Sequence, residues 1–377
     1  MTDMSQRPHP VAGRPANLPP IDFARSPFIV IWEATRACAL ACLHCRADAI
    51  AQRNPLELST DEACMLINQV RDLTQPPPLF VITGGDPIRR PDLATIVRYA
   101  AECGLIVALT PSGTAATTRA RIQELKDAGL SRLAVSLDGP DASTHDAFRG
   151  VRGSFDWTMR IIDAAMDVGL ELQINTTVSK LTLPQLESTA ARIRSLPLSL
   201  WAVFFLVQTG RGASLEQITA DECEGVLNYL YDLSSQVSFG IKTTEAPHFQ
   251  RVIRQRNRAN GVTTASSTRS GLRATRSVTD GNGFVFVDHV GNVCPSGFLP
   301  LVRGNIRTGD LGHIYRDDDV FLLLRDTEAL EGKCGECEFR NICGGSRARA
   351  YTSTGSLMGS DPLCAYEPAG SWPKSYD

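Results

Sequence analysis

Six short apolar runs, each followed by a stretch of helical spacing, constrain this chain more than any other feature. They lie at residues 28–32, 79–83, 105–110, 132–137, 170–178 and 200–207. After the first, Ala63, Leu66, Ile67 and Val70 recur at the i, i+3, i+4, i+7 spacing of an amphipathic helix that opens near Ser59. Further helical stretches follow at 91–103 and at 219–235. Strands joined through helices run parallel with right-handed crossovers, so the fold class is α/β. Two architectures satisfy this order, an open doubly wound sheet and a partial barrel. Both place a ligand at the carboxyl ends of the strands.

The loop after the first run carries Cys38, Cys42 and Cys45 in a C-x3-C-x2-C pattern. A four-iron four-sulfur cluster takes four ligands, usually cysteines, so three thiolates leave one iron open to a small chelating molecule. Zinc is the competing reading, but it prefers four ligands and a C-x2-C knuckle, and His44 inside the loop is awkwardly placed as a fourth. A second set, Cys334, Cys337, Cys343 and Cys364, supplies four thiolates and would close one cluster. Zinc is possible there too, although tetrathiolate zinc sites usually show two paired knuckles and this set has one. Cys64 and Cys223 fall on helical faces and read as packing, while Cys294 has no evident partner.

Polar residues gather at the strand ends. Gly84, Gly85 and Asp86 follow the second run; Ser112 closes the third; Ser136 and Asp138 close the fourth; Asn175 lies within the fifth. Arg149, in HDAFRG, can grip a carboxylate with two parallel hydrogen bonds. Each alone reads as a turn or cap residue, and their repeated placement favours a site. The 11 cysteines come without a secretion signal, which points to the reducing cytoplasm and to metal ligands or buried thiols. A net charge of -3 gives no sign of a nucleic-acid partner. No apolar run approaches the ~18 residues of a membrane span.

The cysteine triad behind a buried strand resembles the radical SAM signature, and TGGDP resembles the GGEP motif of that superfamily, with Asp86 in place of the commoner Glu. The C-terminal cysteines resemble a SPASM/twitch extension. The TGGDP form and the CGGSRARAYTSTG…DPLC ending are most similar to radical SAM enzymes that trim side chains of haem precursors, some converting propionates to vinyls and others removing them. The resemblance implies a partial (β/α)6 TIM-like barrel over 27–215, after a Pro-rich lead-in at 1–26. A helix and Arg-rich linker or loop would occupy 216–282, and a small cysteine-rich auxiliary-cluster domain 283–377. It further implies two 4Fe-4S clusters, one binding S-adenosylmethionine at Cys38, Cys42 and Cys45 and one auxiliary at Cys334, Cys337, Cys343 and Cys364. A second auxiliary cluster would need cysteines where Gly309 and Arg347 stand. Gly84, Gly85, Asp86, Ser112, Ser136, Asp138, Arg149 and Asn175 would line the cosubstrate site, with His44 in the aromatic place near the adenine. The chemistry belongs to the cofactors, so no catalytic side chain is named. A flavodoxin- or ferredoxin-like protein would supply electrons.

Two other functions share these features. A radical SAM maturase of ribosomal peptides has the same plan, although the 26 residues before the first strand are too few for a leader-binding domain. A non-catalytic iron-sulfur electron-transfer protein would have no need of an open iron. For a tetrapyrrole, a flat apolar disc edged with carboxylates, residues 251–276 hold seven arginines and no acid. His248, Arg251, Arg254 and Arg258 are therefore expected at the substrate, on an irregular loop that also carries Arg269, Arg273 and Arg276.

Overall fold

The computed structural model describes residues 22–261 and 277–369. All six expected strands form: β1 Ile29–Glu33, β2 Leu79–Thr83, β3 Val107–Leu109, β4 Arg132–Ser136, β5 Glu171–Val178 and β6 Leu200–Phe205. They lie in sequence order and pair in parallel. Helices carry the chain back between them; Thr60–Arg71 begins with a reciprocal cap between Ser59 and Glu62, worth about 1 kcal/mol.

Period-two alternation sorts the strand side chains onto two faces. Val30 and Trp32 of β1, and Phe80 and Ile82 of β2, enter the core under the helices. Their neighbours Ile31, Val81 and Thr83 line a cavity on the other face. In β5, Leu172, Ile174, Thr176 and Val178 are buried, leaving Asn175 and Thr177 to the cavity. A register slip of one residue would exchange the two faces, so the apolar pattern sets the register.

The sheet is larger than expected. β7, Gly240–Thr244, adds a seventh parallel strand beside β6. It carries an exposed lysine, Lys242, as edge strands commonly do, and its GIKTT sequence shows little strand signal. A hairpin follows as β8 Phe284–Val287 and β9 Asn292–Cys294, with β10 Gly304–Asn305 beyond. Yet β8 pairs in parallel with β1, from Ile29↔Phe284 to Trp32↔Val287. One buried cluster joins Val30 to Val285, Phe321 and Leu363. The boundary expected at 283 therefore divides neither sheet nor core.

The expected irregular segment from 251 is also corrected. Its first part is a helix, His248–Ala259, because Phe249, Val252 and Ile253 repeat at helical spacing and are buried. Arg269, Arg273, Arg276 and the lead-in before residue 22 lie outside the described residues. Among the described residues no helix is long and apolar enough to cross a membrane.

Candidate active site

The loop after β1 is tied at both ends. Ala34 N–H donates to Thr83 O at 2.7 Å, and Cys38 N–H to Ile50 O at 2.9 Å. The turn after β2 packs directly on it, with Gly85 N–H 2.6 Å from Thr35 O and Asp86 N–H 2.7 Å from Ala37 O. A Cβ at Gly84 would stand 2.4 Å from Thr35 O, and one at Gly85 2.5 Å from Arg36 O. Only glycine permits this approach of backbone to backbone.

Cys38, Cys42 and Cys45 line one cavity of about 270 Å³ at the carboxyl ends of the strands. Cys38 Sγ lies 3.3 Å from Ser112 Oγ and accepts from Leu40 N–H at 3.3 Å. Burial pushes its thiol up, and the contacts with Ser112 and Leu40 work against the shift. Arg149 Nη1 approaches Cys42 Sγ at 3.7 Å. Three thiols bordering one cavity, two of them approached by an N–H or guanidinium donor, fit a cysteine-held iron-sulfur group with one open position.

Gly84, Gly85, Ser112, Ser136, Arg149, Asn175 and His44 all border this cavity. His44 stacks on Phe148 with centroids 4.2 Å apart. Burial drives its pKa down to about 3, with the Arg149 charge adding to the effect, so the ring is neutral. Its Nδ1 is buried without a hydrogen-bond partner among the described residues.

Two expected site residues are corrected. Asp86 does not border the cavity; its carboxylate accepts from Ile88 N–H, Ser112 N–H and Thr114 Oγ1, capping the Pro87–Arg89 turn. Asp138 is also turned away. It pairs with Arg149 at 2.5 Å and accepts from Thr177 N–H at 2.7 Å, so it positions the arginine. Burial raises the Asp138 pKa, and the charge of Arg149 outweighs that and holds it low.

Several lining residues were missed. Phe204, Phe284, Phe286 and Phe298 form aromatic walls, and Arg46 and Arg211 contribute cations. The alternation in FVFV was the available signal for Phe284 and Phe286. Their facing the same cavity as the triad depends on β8 joining β1, which no local pattern announces.

Cys334, Cys337, Cys343 and Cys364 border a second, small space of about 20 Å³. Phe339 N–H reaches Cys337 Sγ at 3.4 Å and Gly345 N–H reaches Cys343 Sγ at 3.5 Å. Arg347 donates to Leu357 O and Gly359 O, with Nη2 3.9 Å from Cys334 Sγ. Cys294 is buried in β9 and is in neither lining, its thiol pushed up to about 12 by burial.

The expectation that His248, Arg251, Arg254 and Arg258 grip the substrate is corrected. His248 and Arg251 border the four-cysteine space, not the large cavity. His248 faces Asp361 at 3.3 Å; Arg251 pairs with Glu224 and lies over the Tyr366 ring. Arg254 and Arg258 are on the exposed face of their helix.

Comparison with known proteins agrees with this geometry. The model of the Radical SAM superfamily matches residues 32–193. An AdoMet-dependent heme synthase of Oleidesulfovibrio alaskensis is 42% identical over 342 residues, 90% of this chain and 87% of the relative. Another, from Nitratidesulfovibrio vulgaris, is 41% identical over 362 residues, 96% and 97% of the two chains. The crystal structure of Streptococcus suis SuiB bound to S-adenosylmethionine shares the fold at a TM-score of 0.70 and 16% identity, covering 91% of this chain and 78% of that one. Because relatives more than 40% identical span at least nine-tenths of it, the chain belongs to the radical SAM superfamily and is an enzyme.

Proposed function

We propose that the enzyme oxidatively decarboxylates propionate side chains of an iron tetrapyrrole in haem formation. The observation that carries this reading is the cavity itself, where the cysteine triad faces aromatic walls suited to a flat apolar ring. Relatives more than 40% identical that bear the name AdoMet-dependent heme synthase support it.

Cys38, Cys42 and Cys45 would hold the first cluster. When bound, the cluster supplies the electron for reductive cleavage of S-adenosylmethionine, and with it a hydrogen-abstracting 5′-deoxyadenosyl radical. The protein's part is to bind, orient and exclude water. Gly84 and Gly85 present backbone to the methionine end, with Ser112, Ser136, Asn175 and Arg149 as its polar partners. His44, neutral and stacked on Phe148, offers a flat face to the adenine.

In the substrate, the side-chain carbon next to the ring gives a hydrogen atom to the adenosyl group, carbon dioxide leaves, and one further electron departs as the vinyl double bond forms. Cys334, Cys337, Cys343 and Cys364 would hold a second four-iron cluster that accepts this electron. A flavodoxin- or ferredoxin-like donor would reduce the first. No disulfide joins any of the eleven cysteines, so the seven proposed cluster ligands stay available in a reducing cytoplasm.

The test is anaerobic turnover with S-adenosylmethionine, reductant and either an iron porphyrin bearing propionates or candidate peptides. Porphyrin-dependent 5′-deoxyadenosine together with vinyl product supports the reading. Stimulation by a peptide alone would replace it with peptide maturation.

A further inference from the structure

Arg46, Arg149 and Arg211 all line the large cavity. Two of them have an acid beside them: Arg46 pairs with Glu33 at 2.8 Å and Arg149 with Asp138 at 2.5 Å. Arg211 differs. Its Nε donates to Cys42 O at 2.9 Å and its Nη1 to Ala49 O at 3.3 Å, both neutral acceptors. Nη2 is shielded from solvent and has no hydrogen-bond partner among the described residues.

This position is built into the fold. Arg211 follows β6 in the short turn Gly210–Ser214, and its own N–H donates to Cys45 O at 2.9 Å. Gly210 sits at φ +54°, and a Cβ there would stand 2.4 Å from Arg46 O. The turn is thus pressed against the cysteine loop, and its guanidinium is fixed before any ligand arrives. A guanidinium without a neutralising acid, beside a free donor, is matched by a carboxylate, whose two oxygens fit the arginine fork.

Two ligands could bring that carboxylate. The methionine end of the cosubstrate is assigned to Gly84, Gly85, Ser112, Ser136, Asn175 and Arg149, on and after β2 to β5. Arg211 stands after β6, beyond the last of these strands, and shares the cavity lining with Phe204 and Phe298, whose rings are 6.5 Å apart. Resting on the function proposed above, we infer that Arg211 binds a carboxylate of the tetrapyrrole substrate, and so sets which side chain faces the adenosine.

The test uses the reconstituted holoenzyme and two probes, an iron porphyrin with four propionates and the same porphyrin with its propionates converted to primary amides. Wild type should prefer the acid. R211Q should bind the acid about tenfold to a hundredfold more weakly, the range of a charge-assisted hydrogen bond, while binding the amide as before. R211K, which keeps the charge, should retain part of the preference. Affinity for S-adenosylmethionine and iron content serve as controls and should be unchanged in both variants. If R211Q weakens S-adenosylmethionine and leaves the acid preference intact, the carboxylate is the methionine's and the inference is overturned. If it changes neither affinity, or if both variants lose the cluster, Arg211 is only a strap on the cysteine loop. Wild type that binds neither porphyrin would overturn the proposed function itself, a result separable from the others because it precedes any substitution.

Discussion

Arg349 and Asp361, both fully buried, form an ion pair at 3.1 Å that ties the end of β6 to the C-terminal cysteine region. Arg349 Nη2 donates to Glu245 O at 2.8 Å and approaches Phe205 O and Leu206 O at 3.4 Å. Asp361 also accepts from Ser346 N–H at 2.7 Å. Leu206 lines the large cavity, and Gly345, next to Ser346, borders the four-cysteine space. One buried pair therefore spans the short stretch between the two sites.

D361N should destabilise the protein by about 3–5 kcal/mol, because it leaves the Arg349 charge buried and uncompensated. Burial raises the Asp361 pKa, but the charges of Arg349 and His248 outweigh it and hold the carboxyl well below the ordinary range. A depressed carboxylate contributes stability above its unfolded pKa of ~3.9 and loses it as pH falls toward the folded value. Denaturant melts of wild type and D361N should therefore differ at neutral pH and converge in acid. A constant difference across that range would count against the pair.

Replacing Cys38, Cys42 and Cys45 together with alanine should abolish 5′-deoxyadenosine formation and remove about half of the iron. The reconstituted parent should hold about eight irons, two four-iron clusters. Metal analysis decides this: about twelve irons would implicate Cys294, and stoichiometric zinc would remove the auxiliary iron-sulfur assignment.

Alanine at Arg254 and Arg258 should leave porphyrin affinity within ~0.5 kcal/mol of wild type, as expected of exposed positions away from a site. R251A should act differently, loosening the four-cysteine region through loss of its contacts to Glu224 and Tyr366. Spectral titration and iron retention separate the two effects. Weaker porphyrin binding in R254A would restore the arginine-rich segment as a substrate element.

The strand order and the cysteine groupings were legible because each rests on a short local pattern. The apolar runs set β1 to β6, and the repeat of Ala63, Leu66, Ile67 and Val70 marked the helix that opens near Ser59. What stayed hidden depends on contacts distant in sequence. Asp86 and Asp138 stand at strand ends as ligands would, but one caps a turn and the other holds Arg149, and only packing tells which way a carboxylate faces. The arginines of 251–258 mask an apolar repeat, so a helix read as a loop. Arg211 carries no local signal, since its importance comes from what surrounds it and from the acid it lacks.

The central claim is hydrogen abstraction from a propionate, and isotope transfer tests it most directly. An iron porphyrin deuterated at the side-chain carbon next to the ring should pass deuterium into 5′-deoxyadenosine as the vinyl product forms. Vinyl product accompanied by unlabelled 5′-deoxyadenosine would contradict the account.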